Sequence, residues 1–363
     1  MLICLVILTP VAKAQTASGD SGNTGTGNLV LMHPTVSNLK VMVNLVRNDL
    51  VSLDGFRLVG VYHKHERYDY SRSERYLDTL SYEGPEIYLR EMTDTIYAGA
   101  LFRDNQLSDD YEKLFSQSEG VIFFGGPDMP PGVYGEKTNL LTSVYDPYRH
   151  YFELSFLYHL LGGSQDPEYA GLLERNPDYL IYGFCLGMQT MNVATGGTMI
   201  QDIPTEVYGL GHAEDILKLD NDRLHRNYNR AISMDPDLLS GHFHRVHFKD
   251  SDYSKRLGLE DFHPVVYSNH HQAVEETGKG WQLMASSMDG KIVEGLRHEV
   301  YPNVIGVQFH PEAYFLYDST TSYRIGARDE RSFTGVAMLR KTNSMDFHRA
   351  FWSDFERRLF KRP

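Results

Sequence analysis

A chain of 363 residues, 41% hydrophobic and 23% charged, is long enough to bury one large core or two modest ones. Its formal charge of -13 and the absence of any Lys/Arg run exclude nucleic acid and anionic lipid as main partners, because an acidic surface repels both. The 24 tyrosines and 18 phenylalanines suit core packing before they suit a sugar or peptide cleft.

The chain begins MLICLVILTPVAKA, an apolar run too short to span a bilayer and ending in Ala12-Lys13-Ala14 before Gln15. This pattern predicts a signal peptide over 1–14 and an exported protein of the periplasm or extracellular medium. No Lys or Arg precedes the apolar run, which fits a start further upstream; the competing reading of the run is a buried N-terminal strand. Residues 15–28 are rich in Gly, Ser, Thr and Asn and read as a flexible linker.

Beyond the linker, apolar runs predict strands at Leu39–Val46, Arg57–Tyr62, Gly120–Phe124, Tyr179–Tyr182, Val265–Tyr267 and Val304–Phe309. Helical patterns fall at Ser108–Ser116, capped by its serine, and at Tyr148–Leu161 and Gln189–Ala194. Ser344–Leu359 carries Phe347, Phe351, Phe355 and Leu359 at four-residue steps, a core-facing stripe. Strands alternating with helices predict an α/β fold with a mostly parallel central sheet flanked by helices. Residues 29–363 read as one domain, with insertions at about 64–100 and 211–263, and a further excursion at 162–178.

Chemistry concentrates in "IYGFCLGMQT", residues 181–190. The only cysteines are Cys4 and Cys185, and removal of the leader leaves Cys185 as one thiol without a disulfide partner. Cys185 stands between a short β-favouring run and a helix, with Gly183 and Gly187 two residues to either side. Small residues there let a strained nucleophile turn pack tightly, and the helix start favours a thiolate. A buried, inert cysteine among glycines is the competing reading. In "VIGVQFHPE" (304–312), His310 follows an apolar strand at its carboxyl end, where ligand sites of open α/β sheets gather. Glu312, two residues on, can hold the other ring nitrogen, as in a triad. "GVIFFGGPD" runs a strand into Gly125-Gly126, whose backbone can approach an oxyanion, with the Leu186 N–H as second donor.

Together GGPD, G-x-C-x-G-x-Q, HHQAV and GVQFHPE, in that order, resemble the class I glutamine amidotransferase superfamily, closest to its gamma-glutamyl hydrolase type, such as the gamma-glutamyl-gamma-aminobutyrate hydrolases. The likeness runs from about 119 to 312. It implies a flavodoxin-like sheet with insertions, Cys185 as nucleophile, His310 as general base and acid, and Glu312 as its orienter. It also implies an oxyanion hole from Gly126 and Leu186, and substrate contact from Gly125, Gln189, His270 and His271. The close hydrolases often carry arginine after the nucleophile; here that residue is Leu186. The implied reaction cleaves the gamma-glutamyl amide of a small compound through a thioester and needs no cofactor and no metal.

Two other classes fit the scaffold: a glutaminase subunit feeding a partner synthetase, and a non-catalytic binding protein. Glutamate release with and without a partner separates the three. The sequence leaves a homo-oligomer open. In "GHFHRVHF" (241–248), a strand puts His242 and His244 on one face and His247 on the other. With no cysteine or carboxylate nearby in sequence, that segment reads as an exposed or hydrogen-bonded strand, as does the His63/His65 pair, and not as a metal site.

Overall fold

The computed structural model describes residues 27–326 and 331–361. The expected leader, 1–14, and the linker as far as residue 26 lie outside the described residues. The end of the expected linker does not hold: Gly27 and Asn28 pair with Phe56 and Arg57, so they already belong to a strand.

In chain order the strands are β1 (Gly27–Met32), β2 (Phe56–His63), β3 (Ile87–Met92), β4 (Gly120–Phe123), β5 (Leu180–Phe184) and β6 (Met199–Ile200). They continue with β7 (His242–Phe248), β8 (Val265–Ser268), β9 (Ala273–Val274), β10 (Trp281–Ser287), β11 (Val293–His298) and β12 (Val304–Val307). Among the described residues ten of them form one sheet, in the order β3-β2-β1-β4-β5-β12-β11-β10-β7-β8, while β6 and β9 make a separate ribbon. The run from β3 to β12 is parallel. From β12 to β8 the pairing is antiparallel. Without the edge strand β3, the parallel strands follow the order 2-1-3-4-5 of a flavodoxin-like sheet.

Five helices bear on the site or on the sequence reading: α1 (Val36–Arg47), α2 (Ser71–Thr79), α3 (Ser108–Ser116), α4 (Pro147–Leu161) and α5 (Leu186–Ala194). Both faces of the inner parallel strands β1, β4, β5 and β12 are covered, which is why they read as apolar runs. On β1, Val30 and Met32 face a core shared with Phe152 and Phe156 of α4 and Met188 of α5. Leu29 and Leu31 face the opposite core, with Met42 of α1 and the stripe Phe347, Phe351, Phe355 and Leu359 of the last helix, Met345–Leu359. That stripe is core, as its spacing implies.

Three expectations change. Leu39–Val46 is not a strand but the body of α1, because Thr35 caps it by accepting from the Asn38 N–H and its apolar residues then fall on one helical face. The α3 boundaries stand, but Ser108 is not its cap; the Ser108 hydroxyl accepts from the Asn105 N–H instead. The segments 64–100 and 211–263 are not wholly outside the sheet, since they contribute β3 and β7. Among the described residues no helix is long and apolar enough to cross a membrane.

Candidate active site

Cys185 occupies the single residue between β5 and α5, with φ 51° and ψ -105°. A left-handed φ is costly for a residue with a Cβ, and such strain is kept where the surroundings over-determine it. The surroundings here are specific. The Cys185 N–H donates to the Val307 carbonyl of β12 at 2.8 Å. A side chain at position 187 would lie 2.2 Å from the Phe123 carbonyl, so only glycine lets α5 start this close to β4. Cys185 is the free cysteine among the described residues and is 4% exposed.

Past the end of β12, the chain bends under the sheet's carboxyl edge, with the His310 N–H held by the Tyr267 carbonyl at 2.8 Å. The His310 Nδ1 meets Glu312 Oε1 at 2.7 Å. Burial works against a charge on this ring, but the Glu312 carboxylate and the Cys185 sulfur on either side hold its pKa well above the ordinary 6.5. Gly125 marks where the parts converge: a Cβ there would sit 2.6 Å from His310 Cε1 and 3.5 Å from Cys185 Cβ. The three motifs, far apart in sequence, thus meet around one point.

The glycine loop is pinned from below. The buried Arg149 of α4 donates through Nη2 to the carbonyls of Phe124 (2.8 Å) and Gly125 (3.1 Å), and its Nε pairs with Glu153 at 2.9 Å. Turning those carbonyls toward the guanidinium leaves the opposite face of the loop for its N–H groups. A Cβ at Gly126 would overlap Arg149 Nη1 at 2.0 Å. Leu186, the first residue of α5, carries an N–H with no intrahelical acceptor, because a helix leaves its first donors unpaired.

Gln189 is buried, and its amide donates to the Gln272 carbonyl and to Gln308 Oε1 at 3.2 and 3.3 Å. Gln308 in turn directs its own amide at Cys185 Sγ, 3.6 Å away. Neither Gln308 nor Arg149 is among the site residues the motifs imply. The first could have been found from parity, since residues two apart at a strand end share a face with His310. The second carries the signal of a charged pair four apart in an otherwise apolar helix.

The two neighbouring histidines part company. His271 lines an open cleft of about 940 Å³ together with Pro127, Asp128, Asn269, Arg226 and Arg230. Its Nδ1 lies 3.0 Å from Asp202 and its Nε2 3.0 Å from Asp128. Although burial opposes the charge, hydrogen bonds to these two carboxylates raise its pKa to about 9, so the ring is a cation at neutral pH. His270 does not line the cleft. It is buried, gives Nδ1 to the Gln272 carbonyl at 2.8 Å, and packs against His225 at 5.0 Å between ring centres. The expected pocket pair HH is therefore one cleft residue and one interior residue, on the bend between β8 and β9. Arg226 and Arg230 come from the 211–263 insertion, whose role the sequence left undefined. Arg226 lies over the Tyr228 ring, and no carboxylate comes within ion-pair distance of it among the described residues.

The Peptidase C26 family model matches residues 88–312 of this chain. The chain is 28% identical over 192 residues to the YvdE protein of Lactococcus lactis (strain IL1403), named as glutamine amidotransferase-like, covering 53% of this chain and 65% of that protein. It is 26% identical over 202 residues to the gamma-glutamyl-gamma-aminobutyrate hydrolase of Escherichia coli (strain K12), covering 55% of this chain and 66% of that enzyme. A glutamine amidotransferase from Thermotoga maritima aligns with TM-score 0.39 and 11% identity over 93% of this chain and 98% of its own.

Proposed function

The chain belongs to the Peptidase C26 family, and from that premise we propose that it hydrolyses the gamma-glutamyl amide bond of a small compound, with Cys185 as nucleophile. The observation that carries this reading is the strained Cys185 elbow facing a His310 ring already paired with Glu312. Cys185 sulfur attacks the gamma-carbonyl carbon, and the carbonyl π electrons move to oxygen. That oxyanion is met by the N–H groups of Gly126 and Leu186. The carbon–nitrogen bond then breaks as His310 gives its proton to the departing amine, leaving a glutamyl thioester. A water, losing a proton to His310, attacks the thioester and releases glutamate and the thiolate.

The raised pKa of His310 supports the second step, because an imidazolium at rest is the acid that an amine leaving group needs. Glu312 stabilises that charge and fixes the ring. The anionic alpha-carboxylate of a glutamyl group fits a cleft lined by Arg226 and Arg230, neither of which is ion-paired among the described residues, while the residue after the nucleophile, Leu186, brings no charge. In this role Gln189 acts through Gln308 on the sulfur, as a positioning residue, and Arg149 positions the oxyanion loop.

The test is a panel of gamma-glutamyl dipeptides, polyglutamates, gamma-glutamyl amines and glutamine, with glutamate and the amine product followed by mass spectrometry. Release from one class without any partner protein supports hydrolysis. Failure across the panel, with Cys185 alkylating at the rate of an ordinary buried thiol, would overturn it.

A further inference from the structure

On the far side of β12 from Cys185, three histidines and a glutamate that hydrolysis does not use converge in the interior. One ring nitrogen each of His225, His244 and His270 and one Glu294 oxygen all lie within 4.8 Å of one another. Every one of the four residues is at least 96% buried, since exposures are 1, 1, 4 and 0%. Interiors seldom leave such groups without partners, yet both His225 nitrogens, His270 Nε2 and both Glu294 oxygens have none. His225 Nδ1 and Glu294 Oε1 approach to 3.1 Å without the alignment of a hydrogen bond, as groups do when both are aimed at a third point.

The outer contacts fit the same pattern. His270 gives Nδ1 to the Gln272 carbonyl and His244 gives Nδ1 to the Arg245 carbonyl, at 2.8 and 3.2 Å. Each bond fixes the tautomer that leaves the Nε2 lone pair facing the cluster, which is how metal-binding histidines are normally held. His244 Nε2 hydrogen-bonds to the Ser268 hydroxyl at 2.8 Å, which can turn away, and lies 3.9 Å from Glu294 Oε1.

We propose that His225, His244, His270 and Glu294 form a closed site for one borderline divalent transition-metal ion, with zinc the best fit. Three imidazoles and one carboxylate are a common donor set for such ions, and four protein ligands with no open position make a structural site. Ligand atoms around tetrahedral zinc stand about 3.4 Å apart, so binding draws the four side chains inward by about an ångström or less. Sequence spacing alone set residues 241–248 aside because no carboxylate lies near them; the fold supplies one from β11, two strands away.

The ion would clip the 211–263 insertion, source of His225 and of β7, to β11 and to the segment after β8. It would also brace the catalytic centre from behind. The Glu294 carbonyl accepts from the Gln308 N–H at 2.9 Å, and the Gln308 side chain reaches Cys185 Sγ. The site stands on its own geometry and does not depend on which amide the enzyme cleaves.

Elemental analysis of the full chain, free of any histidine tag, tests this together with thermal unfolding in Zn²⁺ and after chelation. The expected result is about one zinc per chain and a melting temperature about 5 °C higher at a thousandfold excess over Kd. H225Q and H244Q should each bind Zn²⁺ about a hundredfold more weakly or not at all, whereas C185S should bind it as the wild type does. Should the histidine variants not fold, Co²⁺ added to the wild type decides the matter, since nitrogen and oxygen ligation gives tetrahedral visible bands without a thiolate charge-transfer band. Neither bound metal nor a response to Zn²⁺, Co²⁺, Fe²⁺ or Mn²⁺ in the wild type would overturn the proposal. So would loss of the ion in C185S with retention in both histidine variants, which would assign the metal to the catalytic thiol.

Discussion

Replacing His271 by glutamine removes the cation that joins Asp128, beside the glycine loop, to Asp202, the N-cap of the short helix Ile203–Val207. Raising an imidazole from the ordinary 6.5 to about 9 corresponds to about 3 kcal/mol of preference for its charged form in the folded state. Water at the cleft mouth reaches 13% of the side chain and trims this to about 2 kcal/mol. Because the folded pKa is the higher one, the contribution is fully present below about pH 6.5 and fades as pH rises to about 9. Urea unfolding of wild type and His271→Gln at several pH values should therefore show a stability gap of about 2 kcal/mol at about pH 6 that closes by about pH 10. Activity of the variant should fall as well, since Asp128 also accepts from the Ser143 N–H at 2.7 Å and shapes the loop behind Gly126. A gap that does not change with pH would refute the cationic bridge.

Other outcomes follow from the same geometry. Arg226→Gln should raise KM for an anionic gamma-glutamyl substrate by about tenfold to a hundredfold, with kcat nearly unchanged, the loss of one charge-assisted contact; steady-state kinetics read the split. Arg149→Met should cost about 3–5 kcal/mol in chemical denaturation, because it strands the Glu153 carboxylate in the core. It should also lower kcat, whereas the double variant Arg149→Met/Glu153→Leu should recover stability but not rate. On its alkaline side the kcat/KM profile should keep its activity well past pH 6.5, since His310 holds its proton above the ordinary range. An alkaline limb centred near 6.5 would argue against the raised proton affinity of His310.

How far the sequence reveals this molecule depends on how local each signal is. The elbow at Cys185, the β12 end and the glycine loop are local patterns, strand followed by turn, and they lie where the motifs imply. The run Leu39–Val46 is ambiguous because its apolar residues satisfy both a buried strand and a helix face; the Thr35 cap decides, and a cap is settled by geometry. β3 and β7 are hard to see since edge and antiparallel strands mix polar with apolar residues, as in the sequence HFHRVHF. What the sequence cannot show is convergence across distance. Arg149 reaches the carbonyls of Phe124 and Gly125, Gln308 turns toward Cys185, and Glu294 meets three histidines from separate segments. The HH pair is instructive for the same reason: adjacency in sequence suggests a shared role, while the bend between β8 and β9 leaves one ring at the cleft and the other in the interior.

The most direct measurement of the whole account is to quench the enzyme during turnover of a slow gamma-glutamyl substrate and map the adduct by mass spectrometry. The account predicts a glutamyl thioester on Cys185, which accumulates during turnover and is absent from C185A. Turnover that proceeds undiminished in C185A, or an acyl group found on another residue, would contradict it.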